Sequence, residues 1–503
     1  MSNKASDSLF RLIKSLSKPE KRYFKVFSSR HVIGEKNNYQ ILFDAIDKQE
    51  EYDEEKILKK FKNEAFINRF SIAKSRLYAS VLRSLDSYHS NSSLEAQLKR
   101  QMHHAEILYN KSLYDQSLKV LKSIKKVALK YEKATTLIEI GKWEKRIMEK
   151  DNYEGISKKD LEKAVETDKN LTQKIQIYNN LWHAKSLVFK NLYSKGKIRS
   201  KEELKRFKKI IDDLTIKNKE PNMYGENLYL YNHIYSAYYF GVGDYKKSYD
   251  FLVDNIKLIE DKPHLFKEEP NIYLSVLTNA IHIASNLGKK EEAFDYLTRL
   301  KKMPEKLELD MNEDREMRLF SIVKSAELNL FNEAGEFEKG IALIPEIEEG
   351  LVKYDKKLSS VRKAFFYFSI ANLHFAQENF NEALKWINQL LNYIDIAETR
   401  NIHCMAQLFN LVIHVELDNK SLLPYTLRST ERYLETRHKV YKVETIFLQF
   451  VKDLLKKRQD LTEEELFSQL EKEMLPLKED PFEVRAFEYF DFHQWALSKA
   501  QTD

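Results

Sequence analysis

Apolar residues recur along most of this chain at the spacing of an amphipathic helix, and short polar turns separate the apolar runs. The pattern is clearest in residues 364–391. There, Ile370 and Ala371 lie on the apolar face of one predicted helix, and a polar turn at 377–379 follows. Ala383 continues the apolar stripe on a second predicted helix. This stretch therefore predicts two helices folded back on each other as a hairpin.

A small residue near the start of the second helix of each predicted hairpin recurs along the chain. Two closely crossing helices need a small side chain at their contact, because a larger one pushes the axes apart. From residue 117 to residue 425 there are 308 residues in seven steps, a mean period of 44. The eight places are Ser117, Ala164, near Phe207, Ser248, Ala293, Gly340, Ala383 and near Tyr425. Six of the eight hold Ala, Ser or Gly, which predicts a repeated array of hairpins.

The hairpin at 364–391 resembles a tetratricopeptide repeat. A bulky aromatic opens its first helix, Ala371 lies where the helices cross closely, and Asn379-Phe380 precedes a small residue. Leu391-Asn392 stands near the place of the usual closing proline, and the period is longer than the common repeat of about 34 residues. The resemblance implies an all-α fold, an α-solenoid that winds hairpins into a right-handed superhelix with an open concave face.

We predict three parts of the chain. Residues 1–90 form a basic N-terminal helical module, residues 91–475 the repeat array, and residues 476–503 a C-terminal aromatic capping helix. The polar stretch Ser90-Asn91-Ser92-Ser93 sets the first boundary. The capping helix is predicted to lay an aromatic face on the last hairpin. Its aromatic residues include Phe482, Phe487, Phe490 and Trp495.

Composition supports the all-α prediction and the expected compartment. The 503 residues include only 11 glycines and 9 prolines, about two per cent each, so the usual residues of turns and hairpins are scarce. Cys404 is the single cysteine, which excludes an internal disulfide and suits a reducing compartment. Residues 1–21 lack the uninterrupted apolar core of a signal peptide, and no window approaches 18 apolar residues. We expect a cytoplasmic protein without a membrane span.

Positive charge is concentrated near the N-terminus. Residues 1–90 hold 18 Lys and Arg against 12 Asp and Glu, a net of +6 out of +7 for the chain. Seven cations fall between residues 11 and 30, where Glu20 is the one acid: Arg11, Lys14, Lys18, Lys21, Arg22, Lys25 and Arg30. Interleaved aromatics favour a surface for nucleic acid or an acidic partner. Two amphipathic helices with solvated lysines explain the same pattern, and this alternative stays open.

Polar and aromatic positions on the first helix of each hairpin are candidates for a peptide-binding groove. Asparagine donates and accepts hydrogen bonds at once, so it can hold the amides of an extended peptide while phenylalanines grip its side chains. The candidates are His233, Thr278, His282, Asn329, Phe368, Asn372, Phe375, Asn410 and His414. A hydrated groove whose polar residues only maintain solubility is the alternative.

Seven tyrosines crowd one hairpin, and stacked aromatics can bind nucleic-acid bases. They are Tyr229, Tyr231, Tyr235, Tyr238, Tyr239, Tyr245 and Tyr249. Because few lysines lie nearby, we interpret them as packing residues between helices.

Motifs for catalysis are missing from the sequence. Gly241-Val242-Gly243 lacks the third glycine of a dinucleotide fingerprint, and there is no Walker-type lysine or paired Cys-x-x-Cys. His103 and His104 are adjacent and therefore point to different faces of a helix. His403-Cys404 and His414 return to nearly one face, but no general base or acid accompanies them, so a structural role is favoured.

The sequence therefore predicts a non-enzymatic protein-interaction scaffold without cofactor or metal, whose concave groove binds a peptide or protein segment. The alternative is a nucleic-acid-binding regulator that uses residues 1–90, with the repeat array as a sensor or oligomerisation domain. The sequence leaves the oligomeric state open.

Overall fold

The computed structural model describes residues 7–29, 38–90, 93–150, 152–195, 198, 200–214, 223, 225–309, 311–393, 396–435, 442–456, 461–480, 483–487 and 489–501. Within these ranges the chain is built of α-helices with two short 3₁₀ helices and contains no strand. The all-α prediction is confirmed.

The chain divides into two compact units, Met1–Thr172 and Gln173–Asp503. They are called unit 1 and unit 2 below, and each is described by itself. The predicted boundaries at 90/91 and 475/476 stay predictions.

Unit 1 begins with five helices around a small core. They are α1 (Ser8–Ser15), α2 (Lys18–Ser29), α3 (Asn38–Asp47), α4 (Glu54–Lys60) and α5 (Phe70–Tyr88), with a 3₁₀ helix at Ala65–Arg69. The fully buried side chains of this core include Ile13, Phe24, Phe43 and Leu77. Asp53 caps α4 by accepting from the Lys56 amide at 3.0 Å, which satisfies one of the free N–H groups at the helix start.

The rest of unit 1 is formed by α6 (Leu94–Asn110), α7 (Tyr114–Lys130), α8 (Ala134–Lys150) and the first part of α9 (Lys158–Lys195). Helices α6 and α7 pack as a hairpin. Ser117 is fully buried at this contact, and its Oγ donates to the Ala105 carbonyl at 2.8 Å. A turn at 152–157 separates α8 from α9, and Ala164 lies half-buried in the second turn of α9, near the helix start where the small-residue pattern places it. Helix α9 then continues unbroken to Lys195, 38 residues in all.

Unit 2 continues with α9 and sixteen further helices in the part of the chain that is described. They are α10 (Lys201–Asp212), α11 (Gly225–Val242), α12 (Tyr245–Asp261), α13 (Pro263–Phe266), α14 (Pro270–Asn286), α15 (Lys290–Lys306), α16 (Glu313–Ala334), α17 (Phe337–Ala342), α18 (Ile344–Lys353), α19 (Ser360–Ala376), α20 (Phe380–Tyr393), α21 (Ile396–Glu416), α22 (Leu423–Glu435), α23 (Lys442–Leu455), α24 (Glu463–Glu479) and α25 (Phe492–Ala500), with a 3₁₀ helix at Val484–Ala486.

Consecutive helices of unit 2 pack against each other, most extensively α11 with α12, α19 with α20, α14 with α15, and α24 with α25. Ser248, Ala293 and Ala383 are fully buried, as the small-residue pattern predicts. A Cβ on Gly340 would lie 2.8 Å from Leu373 Cδ2, so a larger residue there displaces a core leucine. Tyr425 is 67% exposed, so its side chain is not a buried crossing residue.

The crowded tyrosines pack into the core of unit 2. Five of them are buried, and the Tyr231 and Tyr235 ring centroids lie 4.6 Å apart. Tyr235 also stacks on Phe251 at 5.3 Å. The interpretation of these tyrosines as packing residues is confirmed for this hairpin.

Within the described residues, no helix combines the length and the apolar character needed to cross a bilayer.

Candidate functional site

Three of the groove candidates lie against the end of the protein's own chain. We call residues 489–491 the C-terminal arm; they directly precede α25. The Asn372 side-chain amide donates to the Tyr489 carbonyl at 3.4 Å, and the Phe368 ring meets the Tyr489 ring edge-on at 6.0 Å. The Phe375 ring meets the Phe490 ring edge-on at 5.3 Å. Thus α19 contacts the arm through a hydrogen bond to its backbone and through aromatic ring pairs.

Helix α21 completes the surface under the arm. Phe409 is fully buried, and its ring lies 4.9 Å from the Phe490 ring and 5.1 Å from the Phe375 ring. Edge-to-face and tilted ring pairs at this distance each contribute about 0.5–1.5 kcal/mol beyond the area they bury. Phe490 therefore enters a small aromatic cluster built by α19 and α21.

Helix α25, which follows the arm, is bound to the rest of unit 2 more firmly than the arm is. The Glu416 carboxylate accepts from Trp495 Nε1 at 2.6 Å and from Lys499 Nζ at 2.7 Å, and its side chain is only 5% exposed. Trp495 also packs edge-on against Phe467, at 5.2 Å. Hydrogen bonds to a charged group are worth about 1.5–3 kcal/mol, and losing one here would leave a buried group without a partner.

The aromatic residues near the C-terminus thus contact more helices than the last hairpin on which they were predicted to pack. Phe492 and Trp495 do pack on α23 and α24, through Phe447 and Phe467. The arm in addition contacts α19 and α21, which lie earlier in the chain. Phe482 lies outside the described residues. Sequence periodicity gave no signal for the contact between Asn372 and Tyr489, which are 117 residues apart.

Two further candidates lie on α21 and are mostly buried. The Asn410 side chain is 7% exposed, and its Oδ1 meets no hydrogen-bond donor among the described residues. His414 is 7% exposed, and its Nδ1 lies 3.1 Å from the Asn419 side-chain amide. Burial lowers the pKa of His414, which favours the neutral ring.

The candidates nearer the start of unit 2 do not approach the arm. His233 is packed between the rings of Phe189, at 4.9 Å, and Tyr229, at 5.3 Å. Burial, with a smaller contribution from Lys185, lowers the pKa of His233 to about 4. Its ring is therefore used inside the core and offers little surface to a peptide.

The remaining candidates are half-buried. The Thr278 hydroxyl donates to the Leu274 carbonyl at 2.7 Å. His282 lies edge-on to Phe240 at 6.0 Å, and Asn329 lies on α16. These three side chains keep accessible surface.

The predicted basic patch of unit 1 is partly neutralised. Lys21 pairs with Asp47 and Lys25 with Asp44, each at 2.7 Å, and Lys14 donates to the Asp47 carbonyl at 2.7 Å. The other three cations of the described patch are exposed and make no ion pair with described residues: Arg11, Lys18 and Arg22. Arg30 lies outside the described residues.

A cavity in unit 1 was missed by sequence reasoning. It measures about 280 Å³ and lies between α6 and α8. The Arg146 guanidinium covers the Trp143 ring at 4.7 Å, and His103 lies 3.3 Å from Glu106. Its lining residues are Lys99, Met102, His103, Glu106, Glu139, Lys142, Trp143 and Arg146. Cations and carboxylates line it together, so it has no strong preference for one sign of charge.

Side chains that could ligate a metal are dispersed in the described part of the chain, which contains no group of three or more His, Cys, Asp or Glu arranged around a common point. His403 and Cys404 are both buried on α21. The predicted absence of a metal and of catalysis stays a prediction.

Comparison of the chain with known protein families and with curated proteins gives no match. The class of the protein therefore rests on its fold, which is an all-α arrangement of packed helical hairpins.

Proposed function

We propose that the protein is a non-enzymatic interaction scaffold, and that the surface formed by α19 and α21 binds an extended segment of a partner protein. The observation that carries this proposal is the C-terminal arm, because it is a piece of polypeptide already lying on this surface. Asn372 contacts its backbone, while Phe368 and Phe375 contact its side chains.

These contacts match the requirements for peptide recognition. A backbone carbonyl is present in every peptide, so a side-chain amide that donates to it gives affinity independent of sequence. Aromatic pockets beside it select particular side chains. Asn372 and Phe375 are both half-buried, so each retains surface on which a partner can compete.

The finer architecture belongs to the same proposal. We place the hairpins in a right-handed superhelix of the tetratricopeptide type, with α19 and α21 on its concave face, in a cytoplasmic protein. Buried Ser248, Ala293, Gly340 and Ala383 at similar intervals support regular stacking of the hairpins.

Quantitative co-purification tests the function. Tagged full-length protein is compared with a variant carrying Phe368→Ala and Asn372→Ala, and bound proteins are identified by mass spectrometry. We expect at least one partner to be lost from the variant and retained by Tyr425→Ala, a control at a 67% exposed aromatic residue. Identical partner sets for wild type and the double variant, with melting temperatures unchanged, would refute the proposal.

A second function is favoured by the charge of unit 1. This unit holds 35 Lys and Arg against 25 Asp and Glu, and Arg11, Lys18 and Arg22 remain exposed. If these cations bind nucleic-acid phosphates, the logarithm of the affinity should fall by about 0.7–0.9 per logarithmic unit of salt for each phosphate contact. Titration of DNA and RNA at several salt concentrations measures this slope, and no binding at low salt excludes the function.

A further inference from the structure

We infer that the C-terminal arm is an exchangeable internal ligand, and that the partner segment which replaces it carries two adjacent aromatic side chains followed by an acidic residue. This inference rests on the proposed function and names its ligand class. The arm itself, Tyr489-Phe490-Asp491, provides the chemistry of the expected partner.

Each position of the arm meets a different part of the surface. Tyr489 presents its ring to Phe368 and its carbonyl to Asn372. Phe490 inserts between Phe375 and Phe409. Because neighbouring residues of the arm reach these two places, a partner needs two consecutive aromatic residues to fill both.

The third position of the arm, Asp491, makes an ion pair. The Asp491 carboxylate pairs with Lys478 at 2.8 Å, and the two side chains are 41% and 35% exposed. A partly exposed pair of this kind contributes about 0–1 kcal/mol. Lys478 can therefore pair with an incoming acidic residue at little cost, while Asp491 keeps its other role, in which its Oδ1 accepts from the Gln494 N–H at 3.0 Å and caps α25.

The arm is held less firmly than the helix that follows it. Tyr489 is 38% exposed, and its hydrogen bond from Asn372 is long at 3.4 Å. By contrast, Phe492 is fully buried and Trp495 is 6% exposed, with Glu416 bound to the indole N–H. Phe490 also meets the Phe492 ring at 5.0 Å, and Asp491 caps α25. Exchange therefore releases Tyr489 and Phe490, while Asp491 and α25 stay in place.

A fluorescent peptide tests the exchange. The probe is a synthetic peptide with the sequence of residues 486–491, AFEYFD, which lacks the anchoring residues of α25. It is titrated by fluorescence anisotropy into the full-length wild type and into the full-length variant Tyr489→Ala with Phe490→Ala. A tethered competitor acts at an effective concentration of about millimolar, so we expect the variant to bind the probe at least about tenfold more tightly.

Two controls define the site. A probe with alanine at the tyrosine and second phenylalanine positions should not bind, and adding Phe375→Ala to the variant should weaken binding of the original probe. Tyr425→Ala should bind like wild type. If the double variant loses structure, as judged by its melting temperature, Tyr489→Ala alone replaces it, since that side chain is partly exposed.

Equal affinity of the probe for wild type and for the arm variant, or no binding to either, overturns the inference. Failure of this inference is separable from failure of the proposed function. Loss of a natural partner from Phe368→Ala with Asn372→Ala supports the function even when the AFEYFD probe does not compete. Retention of every partner by that variant refutes the function whatever the peptide does.

Discussion

Units 1 and 2 differ in charge and in the surface that each offers. Unit 1 has a net charge of +10, from 35 Lys and Arg against 25 Asp and Glu, whereas unit 2 has 49 against 52, a net of −3. The exposed cations of unit 1 suit an anionic partner. The α19 and α21 surface of unit 2 is aromatic and neutral, and it already contacts a segment of polypeptide. The two functional hypotheses therefore concern different units and can be tested separately.

The largest expected difference between the units is in how much stability is lost when a small residue of the repeat pattern is enlarged. Ala293 in unit 2 is fully buried in the α14 and α15 hairpin, whereas Ala164 in unit 1 is half-buried along the single helix α9. We expect Ala293→Leu to lower the free energy of unfolding by about 3 kcal/mol, because overpacking forces the helices apart. Ala164→Leu should change it by less than about 0.5 kcal/mol. Urea unfolding measures both, and equal effects would contradict close hairpin crossing in unit 2.

The next difference is pH dependence. The folded pKa of His233 is lowered to about 4, so protonation favours the unfolded chain, whose histidine has a pKa of about 6.5. The stability from this residue is present above pH 6.5 and is lost as the pH falls towards 4, with a loss of about 2 kcal/mol at pH 5. Urea unfolding at pH 7 and pH 5 measures it. The variant His233→Phe keeps an aromatic ring and should lose this part of the pH dependence; an unchanged dependence would contradict burial of His233.

In unit 1, the stability contributed by Glu20 should depend on pH in a more acidic range than that contributed by His233 in unit 2. Burial of Glu20 works against ionisation, but hydrogen bonds from Ser17 and His89 outweigh it and lower the pKa of Glu20. Its stabilising effect is therefore present above pH 4.5 and is lost below that value. Glu20→Gln should remove this component at pH 3–4, as measured by unfolding at each pH.

The smallest difference concerns ion pairs. Lys25 and Asp44 in unit 1 are 48% and 43% exposed, while the Glu416 side chain that binds Lys499 in unit 2 is 5% exposed. Double-mutant cycles should give a coupling of less than about 1 kcal/mol for the first pair and about 1.5 kcal/mol for the second. A larger coupling for the exposed pair would contradict the interpretation that the surface charges of unit 1 contribute little to its stability.

The sequence predicted the helical class, the buried small residues and the packed tyrosines, because periodicity and side-chain volume are local properties. It named Phe368, Asn372 and Phe375 as groove candidates, which stays a prediction, and it gave no signal for the arm that contacts them, since the arm is more than one hundred residues away. His233 was expected on an accessible face. Its register was compatible with that face, but periodicity does not reveal that Phe189 of α9 packs against the same ring.

The unbroken helix α9 was also missed. Ala164 follows the small-residue spacing and the turn at 152–157, but the spacing does not show how far the next helix continues, and no glycine or proline interrupts residues 158–195. Repeat spacing is thus informative where buried hairpin contacts accompany it, as at Ala293 and Ala383.

The most direct test of the central claim is the affinity of a captured partner segment for full-length protein carrying Tyr489→Ala and Phe490→Ala, because in wild type the arm competes through the same Asn372 contact and the effect of losing it would cancel. Titration calorimetry compares this arm variant alone, with Asn372→Ala added, and with Tyr425→Ala added. We predict that adding Asn372→Ala weakens binding about fivefold, as expected for one lost hydrogen bond, while adding Tyr425→Ala leaves the affinity unchanged. Equal affinities for all three proteins would contradict recognition of a partner by the α19 and α21 surface.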